Sequence, residues 1–233
     1  MQANRGFLWA LCVVFAVAGC VPSHPQAIRV ADYTRPIRVA CVGDSITYGA
    51  GIEDRQNNHY PVQLGRLLGN RWEVRNFGVS GATLLRSGDL PYWKQAAFEQ
   101  ALAFDPDVVI IKLGTNDTKP QNWRYGDQFI PDYKDLIRTF AAVPAKPRIW
   151  ICVPVPVYEN RWGISAEVLN AGVIPRVRRV AQDMGVGLID LNAPLSDRPD
   201  LFPDKIHPNA AGAKVMAEVI HATLAGAEVP TAR

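Results

Sequence analysis

A serine, a histidine and an aspartate lie far apart in this chain, yet their types and local settings are those that acyl transfer at a serine requires. Ser45 sits in the polar turn Gly43-Asp44-Ser45-Ile46-Thr47, directly after an apolar run. Toward the other end, Asp204-Lys205-Ile206-His207 places an acid three residues before an imidazole, close enough for the carboxylate to fold back and orient the ring. Such chemistry needs a base for the hydroxyl proton, an orienter for that base, and donors for the developing oxyanion. Ser45 is the candidate nucleophile, His207 the base and Asp204 its orienter. The candidate oxyanion donors are the backbone N–H groups of Ser45 and Gly81 and the side-chain amide of Asn116, the last two lying in Gly78-Val79-Ser80-Gly81 and Gly114-Thr115-Asn116-Asp117.

These turns need a scaffold that brings them together, and the pattern of apolar residues supplies one. Five short runs rich in Val and Ile, at 37–42, 72–77, 108–113, 148–153 and 186–191, read as strands covered on both faces, with helical patterns between them. Helices are expected over 60–68, 92–104, 132–142, from Pro175 to Met184, and from the Asn209 cap through Leu224. Ser165 is expected to cap a short turn. Strands alternating with helices predict a parallel sheet wound by right-handed crossovers into a three-layer α/β/α sandwich. Five strands favour the flavodoxin-like order 2-1-3-4-5, with the chemistry in the loops at the carboxyl ends of the strands.

Other residues compete for these roles. Ser80, in Gly-Val-Ser-Gly-Ala, nearly matches a G-x-S-x-G nucleophile elbow, but Ala82 stands where the last glycine belongs. Asp44 and Asp117 read as loop-organising acceptors, since they follow different strands and no metal-type histidine cluster accompanies them. His24 falls near the N-terminus, His59 at a helix start and His221 on the last helix; His207 alone has an acid at useful spacing. Lys112, inside the third apolar run, has no role in this scheme beyond pairing with a carboxylate. Trp93, Trp123, Tyr158 and Trp162 fall in or beside loops, where aromatic faces suit sugar rings and equally suit packing.

The four segments around Ser45, Gly81, Asn116 and Asp204/His207 together resemble the GDSL/SGNH hydrolase family. Ser45 matches its nucleophile in the Gly-Asp-Ser block, Gly81 the glycine of the second block, Asn116 the asparagine of Gly-x-Asn-Asp, and Asp204 with His207 the terminal Asp-x-x-His. The matches run in order from residue 39 to 209. The resemblance implies a flavodoxin-like sandwich, ester hydrolysis, and no metal or organic cofactor. The stretches 81–93 and 114–123 look similar to carbohydrate esterases of the sialate O-acetylesterase-like and acetylxylan esterase-like kinds. The substrate expected is therefore a carbohydrate bearing a small acyl group, acetyl first. A lysophospholipase or thioesterase, or a glycan-binding lipoprotein without catalysis, remains as an alternative.

Composition bounds the rest. The chain has 233 residues, 48% hydrophobic and 20% charged, as for one globular domain, here expected over 37–226 with a tail at 227–233. The formal charge of +3 is too small to argue for nucleic acid, and Arg176, Arg178 and Arg179 read as a solvated helix face. At the N-terminus, Arg5 precedes an apolar run from Phe7 to Ala18, the length of an export signal and short of a membrane span. The run ends in Val17-Ala18-Gly19-Cys20, which resembles a bacterial lipobox. Residues 1–19 are thus expected to be a leader, Cys20 a lipid-bearing N-terminus, and 20–36 a tether holding the domain to the cell envelope. Cys12 falls in the leader. Cys41 and Cys152 read as buried packing residues one strand apart, roughly 9–10 Å, too far for a disulfide.

Overall fold

A computed structural model describes residues 27–226. The expected leader, the Cys20 anchor, the first part of the tether with His24, and the tail at 227–233 lie outside the described residues.

The sheet forms as its apolar runs predict. Strands β1 (Ile37–Gly43), β2 (Trp72–Gly78), β3 (Val108–Lys112), β4 (Arg148–Val153) and β5 (Gly187–Asp190) are all parallel, in the order β2-β1-β3-β4-β5. The helices that position the site are α1 (Ser45–Tyr48), α2 (Tyr60–Leu68), α3 (Ala96–Ala103), α4 (Phe129–Ala141), α5 (Ile174–Met184) and α6 (Ala210–Ala225), with further short helical turns between, among them Arg55–Asn58 and Pro120–Trp123. One face of the sheet, through Val42, Val109, Ile111 and Ile151, packs on α3, α4 and α5 by way of Phe98, Tyr133, Phe140, Val177 and Val180. The other face, through Val39, Cys41, Ile110 and Trp150, packs on Tyr60 and Leu64 of α2 and Met216 and Ile220 of α6. Each large apolar side chain so buried contributes about 1.5–3 kcal/mol, which makes these two layers the main support of the fold. Cys41 and Cys152 are free thiols within the second layer, and burial raises the Cys41 thiol to about 12.

Several expectations shift in detail. Only Phe77 of β2 is buried, because β2 is an edge strand paired to β1 alone and turns Arg75 to solvent. The expected helix over 92–104 is split by the extended Gln95 into a 3-10 turn and α3. Helix α4 begins at Phe129 rather than Asp132, since the turn Gly126–Gln128 leads into it and Pro131 fits its first turn. Ahead of α5, Ser165 Oγ accepts the Val168 N–H at 3.2 Å, and a π turn spans Leu169–Val173. The latter half of the expected tether is docked on the domain: Ile28 is buried and donates its N–H to the Leu224 carbonyl at 2.8 Å, and Arg35 forms a two-pronged bond with Asp107.

The carboxyl ends of β1, β2 and β3 open toward α1. Helix α1 can settle there because β2 ends in a glycine: a Cβ on Gly78 would collide with the Tyr48 backbone nitrogen and lie 2.7 Å from the Thr47 carbonyl carbon. Asn76 completes the seat, its amide donating to the Thr47 carbonyl at 2.8 Å and its oxygen accepting the Gly78 N–H at 2.9 Å. Two glycine-to-alanine changes then have opposite signs. Gly78→Ala is expected to destabilise the fold by about 1–3 kcal/mol through overpacking against backbone. Gly65→Ala, inside α2 with only ordinary contact to Val74 at 3.6 Å, is expected to stabilise by about 0.5–1 kcal/mol. Urea unfolding midpoints of the two variants check both.

Candidate active site

The turn after β1 is built around Asp44. Its carboxylate caps α1 by accepting the Ile46 N–H at 2.9 Å, which fixes Ser45 as the first helical residue. Asp44 is itself fully buried and paired with Lys112, the last residue of β3, which is equally buried. The Lys112 ammonium donates to Asp44 Oδ1 at 3.1 Å, Asp44 Oδ2 at 3.0 Å and Thr115 Oγ1 at 2.9 Å, which uses all three of its N–H bonds.

The loop before α6 presents the imidazole. Lys205 adopts a left-handed φ of 72°, and the chain folds back so that Asp204 Oδ1 accepts the N–H groups of Ile206 at 2.9 Å and His207 at 2.7 Å. Asp204 Oδ2 is 2.8 Å from His207 Nδ1. A carboxylate acceptor there places the ring proton on Nδ1 and leaves Nε2 as an acceptor. His207 Nε2 lies 2.8 Å from Ser45 Oγ, so the hydroxyl donates to the ring and the ring to the acid. Burial pushes the Asp204 carboxyl up, but the backbone N–H groups and the ring outweigh it and hold it below the usual carboxylate range. Asn209 locks the loop from behind, capping α6 through the Gly212 N–H at 3.0 Å.

The loops after β2 and β3 are braced against each other. Gly81 takes a φ of +85°, which a side chain would strain. Asn116 Nδ2 donates to the Ala82 carbonyl at 3.2 Å, and its second N–H has no acceptor among the described residues. Asp117 accepts the N–H groups of Leu84 at 3.0 Å and Leu85 at 2.8 Å; full burial raises its carboxyl to about 7 against the pull of these bonds. Asn122 spans the same gap, donating to the Asn116 carbonyl at 2.9 Å and Asp89 Oδ1 at 3.0 Å. Asp44 and Asp117 are thus the loop-organising acceptors expected. Among the described residues the N–H groups of Ser45 and Gly81 have no acceptor, and with Asn116 they are donors available to an oxygen outside the protein.

Of the four aromatic candidates, Trp162 is the one whose ring meets His207, while Tyr158 reaches the same loop through its backbone, donating its N–H to the Lys205 carbonyl at 2.9 Å. The Trp162 ring centroid lies 5.8 Å from that of His207, the residue is 59% exposed, and it holds a left-handed φ of 51°. Arg161 beside it donates to the Asp204 carbonyl oxygen at 3.2 Å. The other three are packing residues. Trp93 bonds the Leu84 carbonyl at 2.9 Å and meets Phe98, Trp123 meets Phe129, and Tyr158 meets Phe202 while its hydroxyl bonds the Leu195 carbonyl. Ser80 is exposed, and His59 caps α2 through the Val62 N–H at 3.1 Å. The left-handed turn at Trp162 gives no signal in the sequence, and although Lys112 reads as pairing with a carboxylate and Asp117 as a loop acceptor, their particular partners, Asp44 and the Leu84 and Leu85 N–H groups, do not. A hollow of about 320 Å³ lined by Ile137, Arg148, Ile149 and Met184 lies at the amino end of β4, away from Ser45.

The sequence profile of the GDSL-like Lipase/Acylhydrolase family matches residues 41–215. An acetylxylan esterase of Xylanibacter ruminicola is 45% identical over 206 residues, covering 81% of this chain and 43% of that protein. A multidomain esterase of Ruminococcus flavefaciens is 21% identical over 228 residues, covering 83% of this chain and 29% of that one. The chain therefore spans less than half the length of these curated relatives. In fold it is similar to the aryl esterase of M. smegmatis (TM-score 0.64, 20% identity, 81% of this chain and 100% of that one). A carbohydrate acetylesterase of Sinorhizobium meliloti is comparable (TM-score 0.63, 20% identity, 82% and 99%). With the profile running from β1 into α6, the chain belongs to the GDSL-like lipase/acylhydrolase family.

Proposed function

We propose that this protein is a serine esterase that removes short acyl groups, acetyl first among them, from carbohydrate. The observation that carries this reading is the unbroken relay from Ser45 Oγ to His207 Nε2 and from His207 Nδ1 to Asp204 Oδ2, each step 2.8 Å. In the first half-reaction, Ser45 Oγ attacks the ester carbonyl carbon as its proton passes to His207 Nε2. Asp204, ionised because its neighbours favour the charged form, steadies the imidazolium. The carbonyl oxygen, now an anion, is received by the N–H groups of Ser45 and Gly81 and the second amide N–H of Asn116. The carbon–oxygen bond to the alcohol breaks, and His207 returns its proton to the departing alkoxide. Water then attacks the acyl-serine and gives a proton to His207; the acyl carbon–Oγ bond breaks as His207 passes that proton to Ser45 Oγ, which releases the acid and restores the serine hydroxyl.

Substrate class rests on two supports. Trp162 stands beside the ring that protonates the leaving alcohol, so that alcohol emerges next to an exposed aromatic face, a surface suited to a sugar ring. A relative 45% identical is an acetylxylan esterase. We also propose, from the Val17-Ala18-Gly19-Cys20 pattern alone, that acylation of Cys20 holds the protein at the bacterial envelope. Among the described residues no helix is long and apolar enough to cross a membrane.

Ser45→Ala is expected to abolish acetate release from acetylated xylan and from an aryl acetate alike, measured by mass spectrometry of free acetate; an equally active variant refutes the nucleophile. Trp162→Ala is expected to raise KM for the acetylated glycan while sparing the aryl acetate. A preference for long acyl chains would instead favour the lysophospholipase or thioesterase reading, and glycan binding without turnover a non-catalytic one. For the anchor, Cys20→Ser is expected to move the protein from the membrane to the soluble fraction on cell fractionation.

A further inference from the structure

Lys112 is the buried charged group that the esterase scheme leaves unused. It ends a strand otherwise made of Val and Ile, and among the described residues its bridge to Asp44 is the only ion pair with both side chains fully buried. Stability alone does not account for it, since a buried ion pair is often replaceable by neutral residues without loss to the fold. Its partners say more. Asp44 directly precedes Ser45, and Thr115 directly precedes Asn116, so one ammonium at 2.9–3.1 Å ties together the two turns that carry the nucleophile and an oxyanion donor.

We propose that Lys112 is a positioning residue of the esterase: it fixes and neutralises the Asp44 carboxylate beneath Ser45, so that the donors meet a forming oxyanion in one geometry and without a bare anion behind them. The proposal rests on the esterase reading of this site. An unpaired carboxylate one residue from Ser45, in an interior that screens charge far less than water, would repel the oxyanion the adjacent N–H is meant to receive. Asp117, Tyr60 and Tyr133, buried around the same pair, supply no compensating cation.

The test uses the full chain, Ser45→Ala, Lys112→Met and the double variant Asp44→Asn/Lys112→Met, in which asparagine keeps the α1 cap while both charges go. Each is measured for kcat and KM on an aryl acetate and for the rate of labelling by a fluorophosphonate, with Ser45→Ala as the blank for both and thermal unfolding to report folding. Lys112→Met is expected to lower kcat and labelling by about a hundredfold, as displacement of a reacting geometry does, with KM little changed, and the double variant to recover about tenfold or more of it. Parental kcat in folded Lys112→Met, a loss confined to KM, or a double variant no faster than Lys112→Met overturns the proposal. Should Lys112→Met fail to fold, the double variant decides: labelling within about tenfold of the parent upholds the proposal, while a hundredfold slower rate or a failure to fold overturns it. A parent that is neither active nor labelled defeats the esterase reading itself; one that is labelled but indifferent to Lys112 defeats only this proposal.

Discussion

The hydrogen bond between Ser45 Oγ and His207 Nε2 joins residues 162 positions apart, and much of the molecule serves to make its 2.8 Å separation reproducible. Neither side chain is placed by its own segment alone. Ser45 is held by a helix of four residues, too short to persist by itself, which rests on Gly78 and on the Asn76 amide from the neighbouring strand. His207 is held by a carboxylate three residues back, in a loop that the Tyr158 N–H pins through the Lys205 carbonyl and Arg161 through the Asp204 carbonyl. The parallel sheet makes the meeting possible because right-handed crossovers return every strand in the same direction and gather the loops after them at one edge.

What was legible in the sequence is what local pattern determines. Trp150 and Cys152 point one way from β4 and Ile149 and Ile151 the other, and a run apolar on both faces reads as a covered strand whatever its neighbours. Asp204 and His207 were legible as a pair because three residues is a distance the chain can close on itself. The edge strand β2 reads as covered because Trp72, Val74 and Phe77 outweigh Glu73, Arg75 and Asn76 in the pattern, yet Arg75 is exposed and Asn76 serves to seat α1. Residues 27–36 read as the latter part of a tether because the stretch 20–36 holds Pro22, Pro25 and Pro36, whereas Ile28 finds a place against α6 that only the folded domain creates.

The remaining features depend on partners remote in sequence. Lys112 and Asp44 are 68 residues apart, and Asp117 reaches back 33 to Leu84; no spacing rule links such residues. The aromatic residues show the same limit from the other side. Trp93 and Trp123 sit in segments that look like rim loops, but each finds an aromatic neighbour in the layer below, and of the four candidates Trp162, on a left-handed backbone, is the exposed one.

Rigidity is therefore distributed unevenly across the proposed site. Beneath Ser45 and Asn116 lie Asp44, Lys112 and Asp117, three ionisable groups without solvent exposure, each engaged by two or more hydrogen bonds. Burying them costs stability that an apolar floor would not. What such a floor gains is dipoles already oriented before a substrate arrives, and electrostatic stabilisation of a transition state is effective to the degree that no reorganisation is needed when charge develops. The rim is the opposite: Trp162 is held in a strained backbone conformation with most of its ring exposed, a state that persists only because the surrounding turn fixes it. In the proposed esterase, chemistry on a fixed polar floor and recognition on an exposed aromatic edge are separable functions. A change of the proposed substrate can therefore be accommodated at the rim without disturbing the relay beneath it.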